Sequence, residues 1–219
     1  MSTFPGSPKL AKAGLVLVDP VSGALLRVIP LQYNPETLTR TLQVRGTTGE
    51  AGDRTEALRL TGPPIETIKL DAEIDATDQL ETATPDSTAT QFGLHAHLAA
   101  LETIVYPSST ELQANDQLAR GGTLEIVPME APLTLFVWSK SRVLPVRLTD
   151  FSVTEEAFDT QLNPILAKVS LGMHVLSIND LNFTHRGAGL FMTYQRQKES
   201  LAAKEKNAPL TVLGISRIP

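Results

Sequence analysis

Residues 165–178 read ILAKVSLGMHVLSI, and a two-residue period puts Ala167, Val169, Leu171, Met173 and Val175 on one face. Alternation of that length predicts a central strand crossing a sheet or barrel. Upstream, TLEIVP (123–128), PLTLFVW (132–138) and RVLPVRLTDFSVTEE (142–156) are also β-rich. Further back, Leu70, Ala72, Ile74 and Ala76 alternate with Asp71, Glu73 and Asp75. That stretch predicts a strand with one apolar and one acidic face, the acidic side meeting solvent or a basic partner. Near the start, GLVLV and ALLRVIPL flank the turn-rich DPVSG and predict a hairpin over 14–31. Leu38, Leu42 and Val44 then share one side of a half-buried strand.

Helical signals are fewer. Leu94, Leu98, Leu101 and Val105 recur at helical spacing, which predicts an amphipathic helix over 93–105 ended by Pro107. A weaker helix is expected in STELQANDQLA (109–119), before Gly121 and Gly122 break the chain. GTTGEAGDRTE (46–56) and TDQLETATPDSTATQ (77–91) have the composition of surface loops. After Asn182 the chain turns to helix formers and charges in GAGLFMTYQRQKESLAAKEK, then to the apolar APLTVLGISRIP. This divides the sequence into a domain over 1–182 and a C-terminal helical extension over 183–219. The apolar Leu210, Val212, Leu213 and Ile215 of the extension are candidate contacts to another subunit, as are Asp71, Glu73 and Asp75.

Composition narrows the function. With 219 residues, 42% hydrophobic and 20% charged, the chain is expected to fold around one main core. A net charge of -5 opposes a nucleic-acid binder that works through a basic face. The absence of cysteine removes disulfides, thiolate metal sites and cysteine nucleophiles. No stretch reads as a signal peptide or a membrane span. His95 and His97, two apart on the expected helix, point to different faces and make a poor metal pair. His174 and His185 are isolated in sequence. Asp71, Glu73, Asp75 and Asp78 lack the glycine-bearing register of a calcium loop. G-x-S-x-G, H-E-x-x-H and phosphate-binding glycine patterns are missing too, so no catalytic, cofactor-binding or metal residue is expected. Phe136, Trp138, Phe151 and Phe158 read as core or as an interface hot spot, and their placement on alternating strands favours core.

An ordered set of phrases carries a resemblance: IPLQYNPETL (29–38), TGPPIETIKLDAEIDATDQLE (61–81), GLHAHLAALETIVYP (93–107) and the long run from Ala131 to Ser177. Within them stand the aromatic-Asn-Pro-Glu turn Tyr33, Asn34, Pro35, Glu36, the Phe-x-Trp strand Phe136 to Trp138, and FDTQLNP. Over roughly residues 13–181 the chain resembles the tube-like domain of contractile injection system proteins. The resemblance implies an α+β, mainly antiparallel fold: a split β-barrel of the phage tail tube type with a flanking helix. It implies a homo-oligomeric, six-fold ring at the baseplate, in contact with the inner tube protein, the spike or hub protein and baseplate proteins. Assembly in the cytoplasm as part of a phage tail-like particle follows. Many members continue into a LysM module, and none is expected within these 219 residues. A tube initiator and a monomeric binding module are the alternatives, with a hydrolase weakest. In this turn, Asn34 is expected to bond its own backbone while Pro35 fixes the bend.

Overall fold

The structure, a computed structural model, describes residues 11–46, 58–81, 84, 87–122 and 130–218. In chain order these form β1 (Gly14–Val18), β2 (Leu25–Pro30), β3 (Leu38–Gln43), β4 (Ile65–Asp75), α1 (Thr77–Glu81), α2 (Thr88–Phe92), α3 (His95–Glu102), α4 (Ser109–Arg120), β5 (Leu133–Ser139), β6 (Arg142–Phe158), β7 (Pro164–Val175) and α5 (Arg186–Ala202), followed by a 3-10 turn at Leu210–Leu213. The fold is α+β and is dominated by one seven-stranded antiparallel sheet, ordered β2-β1-β5-β6-β7-β4-β3.

The central strand lies where the alternation in 165–178 predicts, with β7 between β4 and β6. Ala167, Val169, Leu171, Met173 and Val175 are all buried in the main core. Leu70, Ala72 and Ile74 of β4 join them from one side, and Leu144 and Val146 of β6 from the other. Leu15 of β1, Ile29 of β2 and Phe136 of β5 face the same cluster, and Leu98 and Leu101 of α3 pack onto it. A β-bulge between Leu148 and Asp150 reverses the side-chain parity of β6, so that Phe151 and Val153 still point to the core. Gly172 stands opposite the bulge, where an added Cβ would come within 2.7 Å of the Asp150 carboxylate.

The sheet does not close into a barrel. β2 and β3 are its two ends and do not pair with each other. β3 covers only Ile65–Leu70 of β4, and among the described residues no strand pairs with Asp71–Asp75 on that side. The chain that comes back to this free half runs from Pro30 to Pro35, and proline has no N–H to give a ladder. One side chain spans the gap: Gln32 Nε2 donates to the carbonyl of Asp75 at 2.5 Å, and Asp75 N–H donates to Gln32 Oε1 at 2.8 Å.

The helices differ in detail from their sequence signals. The expected helix over 93–105 is shorter, His95–Glu102, because Gly93 sits at φ 53 with Pro164 O 2.5 Å from where a Cβ would lie, and Val105 is exposed. The expected loop over 77–91 contains α1 and α2, the latter capped by Ser87, whose hydroxyl accepts from Thr90 N–H. The weak helix is α4, started by a capping box between Ser108 and Glu111, and it buries none of its residues. The expected strand over 123–128 and all but Gly46 of the expected loop over 46–56 lie outside the described residues.

Segment 190–219 is expected to dock on another subunit, with folding back on its own domain the alternative, and for the part within α5 the structure shows the alternative. α5 packs on its own sheet, with Ala188, Phe191 and Tyr194 buried. Its anchor is Glu66, only 3% exposed, whose Oε1 lies 2.7 Å from Arg40 Nη2 and 2.8 Å from Arg40 Nε. Arg40 Nη2 also donates to the Tyr194 hydroxyl at 3.0 Å. Lys198 Nζ lies 3.9 Å from Glu66 Oε2 and 4.2 Å from the centre of the Tyr194 ring. Burial, and then the Glu66 charge, raise the Tyr194 pKa, while burial lowers that of Lys198 despite Glu66. Charge pairing in a site this dry is lost abruptly when one partner goes. Arg40→Met is expected to cost near the lower end of the roughly 3–5 kcal/mol typical of broken buried pairs, since the Arg40 side chain is itself 26% exposed. Denaturant unfolding gives that cost, and hydrogen exchange is expected to quicken first in α5. A loss under about 0.5 kcal/mol would show that the network does not hold the helix.

Among the aromatics, Phe136 has no exposed surface, whereas Trp138 and Phe151 only lean on the core and Phe158 is exposed. The Phe136 and Trp138 rings are tilted, with centroids 6.0 Å apart. Phe136→Ala is therefore expected to cost about 3–5 kcal/mol, and Trp138→Ala to cost less. Equal losses in urea melts would contradict this ranking.

Candidate interaction surface

Six of the residues singled out in the sequence, Tyr33, Asn34, Pro35, Glu36, Asp71 and Glu73, meet in one groove on the outer side of the sheet. Asn34 and Pro35, in the turn after β2, line it with Tyr33 beside Asp71 and Glu73 of β4's free half. Asn34 does not bond its own backbone as expected. Its Oδ1 accepts from Ala13 N–H at 2.9 Å and its Nδ2 donates to Ala11 O at 2.8 Å, tying the turn to the segment that leads into β1. The other wall carries Ser152, Thr154, Lys168 and Ser170. Glu73 is paired across the sheet with Lys168, and Lys168 Nζ reaches Glu156 at 2.9 Å. The hydrogen bond that the Lys168 ammonium donates to the Glu156 carboxylate raises the Lys168 pKa. The acidic face thus meets part of its basic partner within its own chain.

Asp75 leaves that face. Its carboxylate accepts from Thr77 N–H at 2.7 Å and from the Thr77 hydroxyl, at the first residue of α1. The side chain of Asp78 lies outside the described residues. Leu210, Val212, Leu213 and Ile215 are exposed and are not among the residues lining the groove.

The larger unpartnered surface was not legible as such. β3 was expected to bury Leu42 and Val44, but both are exposed, because the partner face at that end of β4 is occupied by Glu66 and Arg40. The arm continues through a bridge between Gly46 and Leu60 and a bond from Thr61 N–H to Arg45 O at 3.1 Å. Leu58 and Leu60 on its return are 96% and 72% exposed. At the opposite end of the sheet, β2 exposes Leu25, Leu26 and Val28. The signal available in the sequence was the crowding of leucine and valine at strand ends next to loop composition.

The turn FDTQLNP is braced from within and tied to the segment around α2 by Asn163 Nδ2, which donates to Gln91 O at 3.3 Å. Asp159 Oδ1 accepts from Gln161 N–H at 2.7 Å and Asn163 N–H at 2.8 Å, and Asn163 Nδ2 donates to Asp159 Oδ2 at 2.9 Å. The Asn163 side-chain bond leads in holding the Asp159 pKa below the usual carboxylate value, and Leu162 takes a left-handed φ of 64.

Among the described residues no three His, Cys, Asp or Glu side chains gather as metal ligands, and no helix is long and apolar enough to cross a membrane. His95 is exposed on α3. His174 Nε2 lies 3.3 Å from Asp180, and His185 caps α5 by accepting at Nδ1 from Gly187 N–H at 3.0 Å. No protein-family model matches the chain, and no curated protein matches it.

His97 is the histidine with a consequence. Its Nε2 is buried without a hydrogen-bond partner, and burial lowers its pKa below the usual 6.5. The unfolded chain therefore binds this proton more readily, so stability is full above about 6.5 and falls as pH drops from there through the folded-state value. Urea midpoints measured between about pH 7 and pH 5 are expected to decline, and His97→Leu to flatten the part of the decline that begins near 6.5. An unchanged slope in the variant would assign the decline to other groups.

Proposed function

We propose that this chain is a structural subunit of a contractile injection system, forming a ring that connects the inner tube to the baseplate hub or spike. The observation that carries the reading is the pair of open sheet ends: β3 with its arm exposes Leu42, Val44, Leu58 and Leu60, and β2 exposes Leu25, Leu26 and Val28. An edge strand offers unpaired backbone groups, and apolar side chains along it favour covering by another strand. Two different edges on one subunit make a heterologous contact, which closes into a ring when the rotation per copy permits. The ordered phrases around Tyr33-Asn34-Pro35-Glu36, Phe136 to Trp138 and FDTQLNP support the tube-like family, and with it a split barrel of the tail tube type, six-fold symmetry and assembly in the cytoplasm within a phage tail-like particle. A tube initiator would use the same edges at another axial level. A monomeric binding module is less well supported, since the groove has Tyr33 as its one aromatic lining residue. On this reading the protein works by assembly.

Electron microscopy and sedimentation of the chain with its tube and spike partners test the proposal. Rings are expected, and Leu42→Lys with Val44→Lys is expected to weaken association by about tenfold or more, equivalent to ~1.4 kcal/mol, with the far-UV circular dichroism unchanged. Persistent monomers with every partner present would sink it.

A further inference from the structure

Two features at opposite ends of α5 are used by nothing described so far. Before its first turn lies a pocket lined by Ile104, Val105, Leu133, Leu148, Leu176 and Leu181. Glu130, Arg147, Asp180 and His185 supply its charged and titratable rim. Asp180 is committed, since its Oδ2 accepts from Ser177 N–H and from the Ser177 hydroxyl, both at 2.8 Å. Glu130 is the open carboxylate, its side chain 68% exposed and 3.6 Å from His185 Nε2. Beyond the other end of α5, the 3-10 turn Leu210–Leu213 is closed by Gly214 at φ 74, and Leu210, Val212, Leu213, Ile215 and Ile218 are exposed. Arg217 is the one charged side chain of residues 207–218, a cation within a chain of net charge -5.

We infer that the 207–218 segment of one copy seats in this pocket of a second copy, its apolar turn against the leucines and Arg217 beside Glu130. Charge complementarity selects the segment, and reach selects the second copy. α5 has 17 residues, which at about 1.5 Å per residue separates its ends by roughly 25 Å. Residues 203–209 would have to run back fully extended, at about 3.4 Å each, to bring the turn to their own pocket. Three of them are instead spent continuing the helix in turns, with Ala203, Lys204 and Glu205 N–H bonded to Glu199, Leu201 and Ala202. A neighbour's pocket carries no such limit. The contact is head-to-tail, the kind that the proposed ring requires, and it rests on that reading only for the order in which copies follow one another.

Mixing two variants tests it. One is cut after Lys206 and keeps the pocket; the other carries Glu130→Lys and Ala131→Trp at the exposed pocket mouth and keeps the segment. Sedimentation velocity is expected to show self-association of the unmodified chain, its loss in each variant alone, and a hetero-pair when the two are mixed. No hetero-pair in the mixture overturns the inference, as does full association of either variant alone. Should either variant fold poorly by circular dichroism, a charge exchange replaces it. Glu130→Lys and Arg217→Glu are each expected to weaken association about tenfold, and the two together to restore it; failure of the pair to restore it also overturns the inference. Rings that persist in both single variants overturn the docking and leave the ring reading standing, whereas a hetero-pair without rings supports the docking and counts against the ring.

Discussion

The carboxamide of Gln32 gives a donor and an acceptor to the two backbone groups of Asp75, and in doing so replaces one rung that no strand among the described residues supplies. Each such bond contributes only about 0.5–1.5 kcal/mol, but an unsatisfied buried amide at the same place would cost more. The position matters more than the energy. The bridge joins the end of β2 to the unpaired half of β4, at opposite ends of the strand order, and so bends an open sheet around a single core. Leu94, Leu98 and Leu101 can then cap that core from the helical segment between β4 and β5, and Asn34 can hold the turn to Ala11 and Ala13. A strand in Gln32's place would have closed the sheet and used up the edge that β2 and β4 leave open.

A second constraint acts at the other end of β4. Glu66 occupies a core-facing position, and its charge is tolerable only because Arg40, Tyr194 and Lys198 converge on it. Tyr194 and Lys198 come from α5, so the helix is a required partner of the sheet and not an appendage. A boundary at 182/183 separates the strands from a helix that shares their core. The same charge cluster explains why β3 cannot bury Leu42: the face it shares with Glu66 is already filled by Arg40.

What the sequence disclosed was what depends on local period. β4 and β7 alternate without interruption, so their buried faces were readable residue by residue. β6 was readable as β-rich but not in its parity, because the bulge at Leu148 and Asp150 depends on the space that Gly172 leaves on the next strand. The groove's residues were visible singly. That Asn34 bonds to residues 21 and 23 positions away, and that Asp75 turns to Thr77, depends on contacts no window contains. α5 was seen as charged and helical, while its anchor lies 128 residues back at Glu66. A helix whose buried face is partly made of charged side chains reads as solvent-facing until its partner is known.

The exposed apolar residues acquire meaning from where the sheet stays open. Covering Leu25, Leu26, Val28, Leu42, Val44, Leu58 and Leu60 on association would contribute about 25 cal/mol per Å² of apolar surface removed from water. Their concentration at the two ends of the strand order, with Phe158 at the end of β6 the exception on the central strands, is the pattern expected when covering comes from another copy. The central outer face is built oppositely, with Asp71, Glu73, Lys168, Ser170, Ser152 and Thr154 presenting charges and hydroxyls. Polar at the middle and apolar at the ends, such a sheet can add neighbours sideways while keeping its middle free, and that division of labour within one sheet favours an assembling ring over a module that binds on its open face.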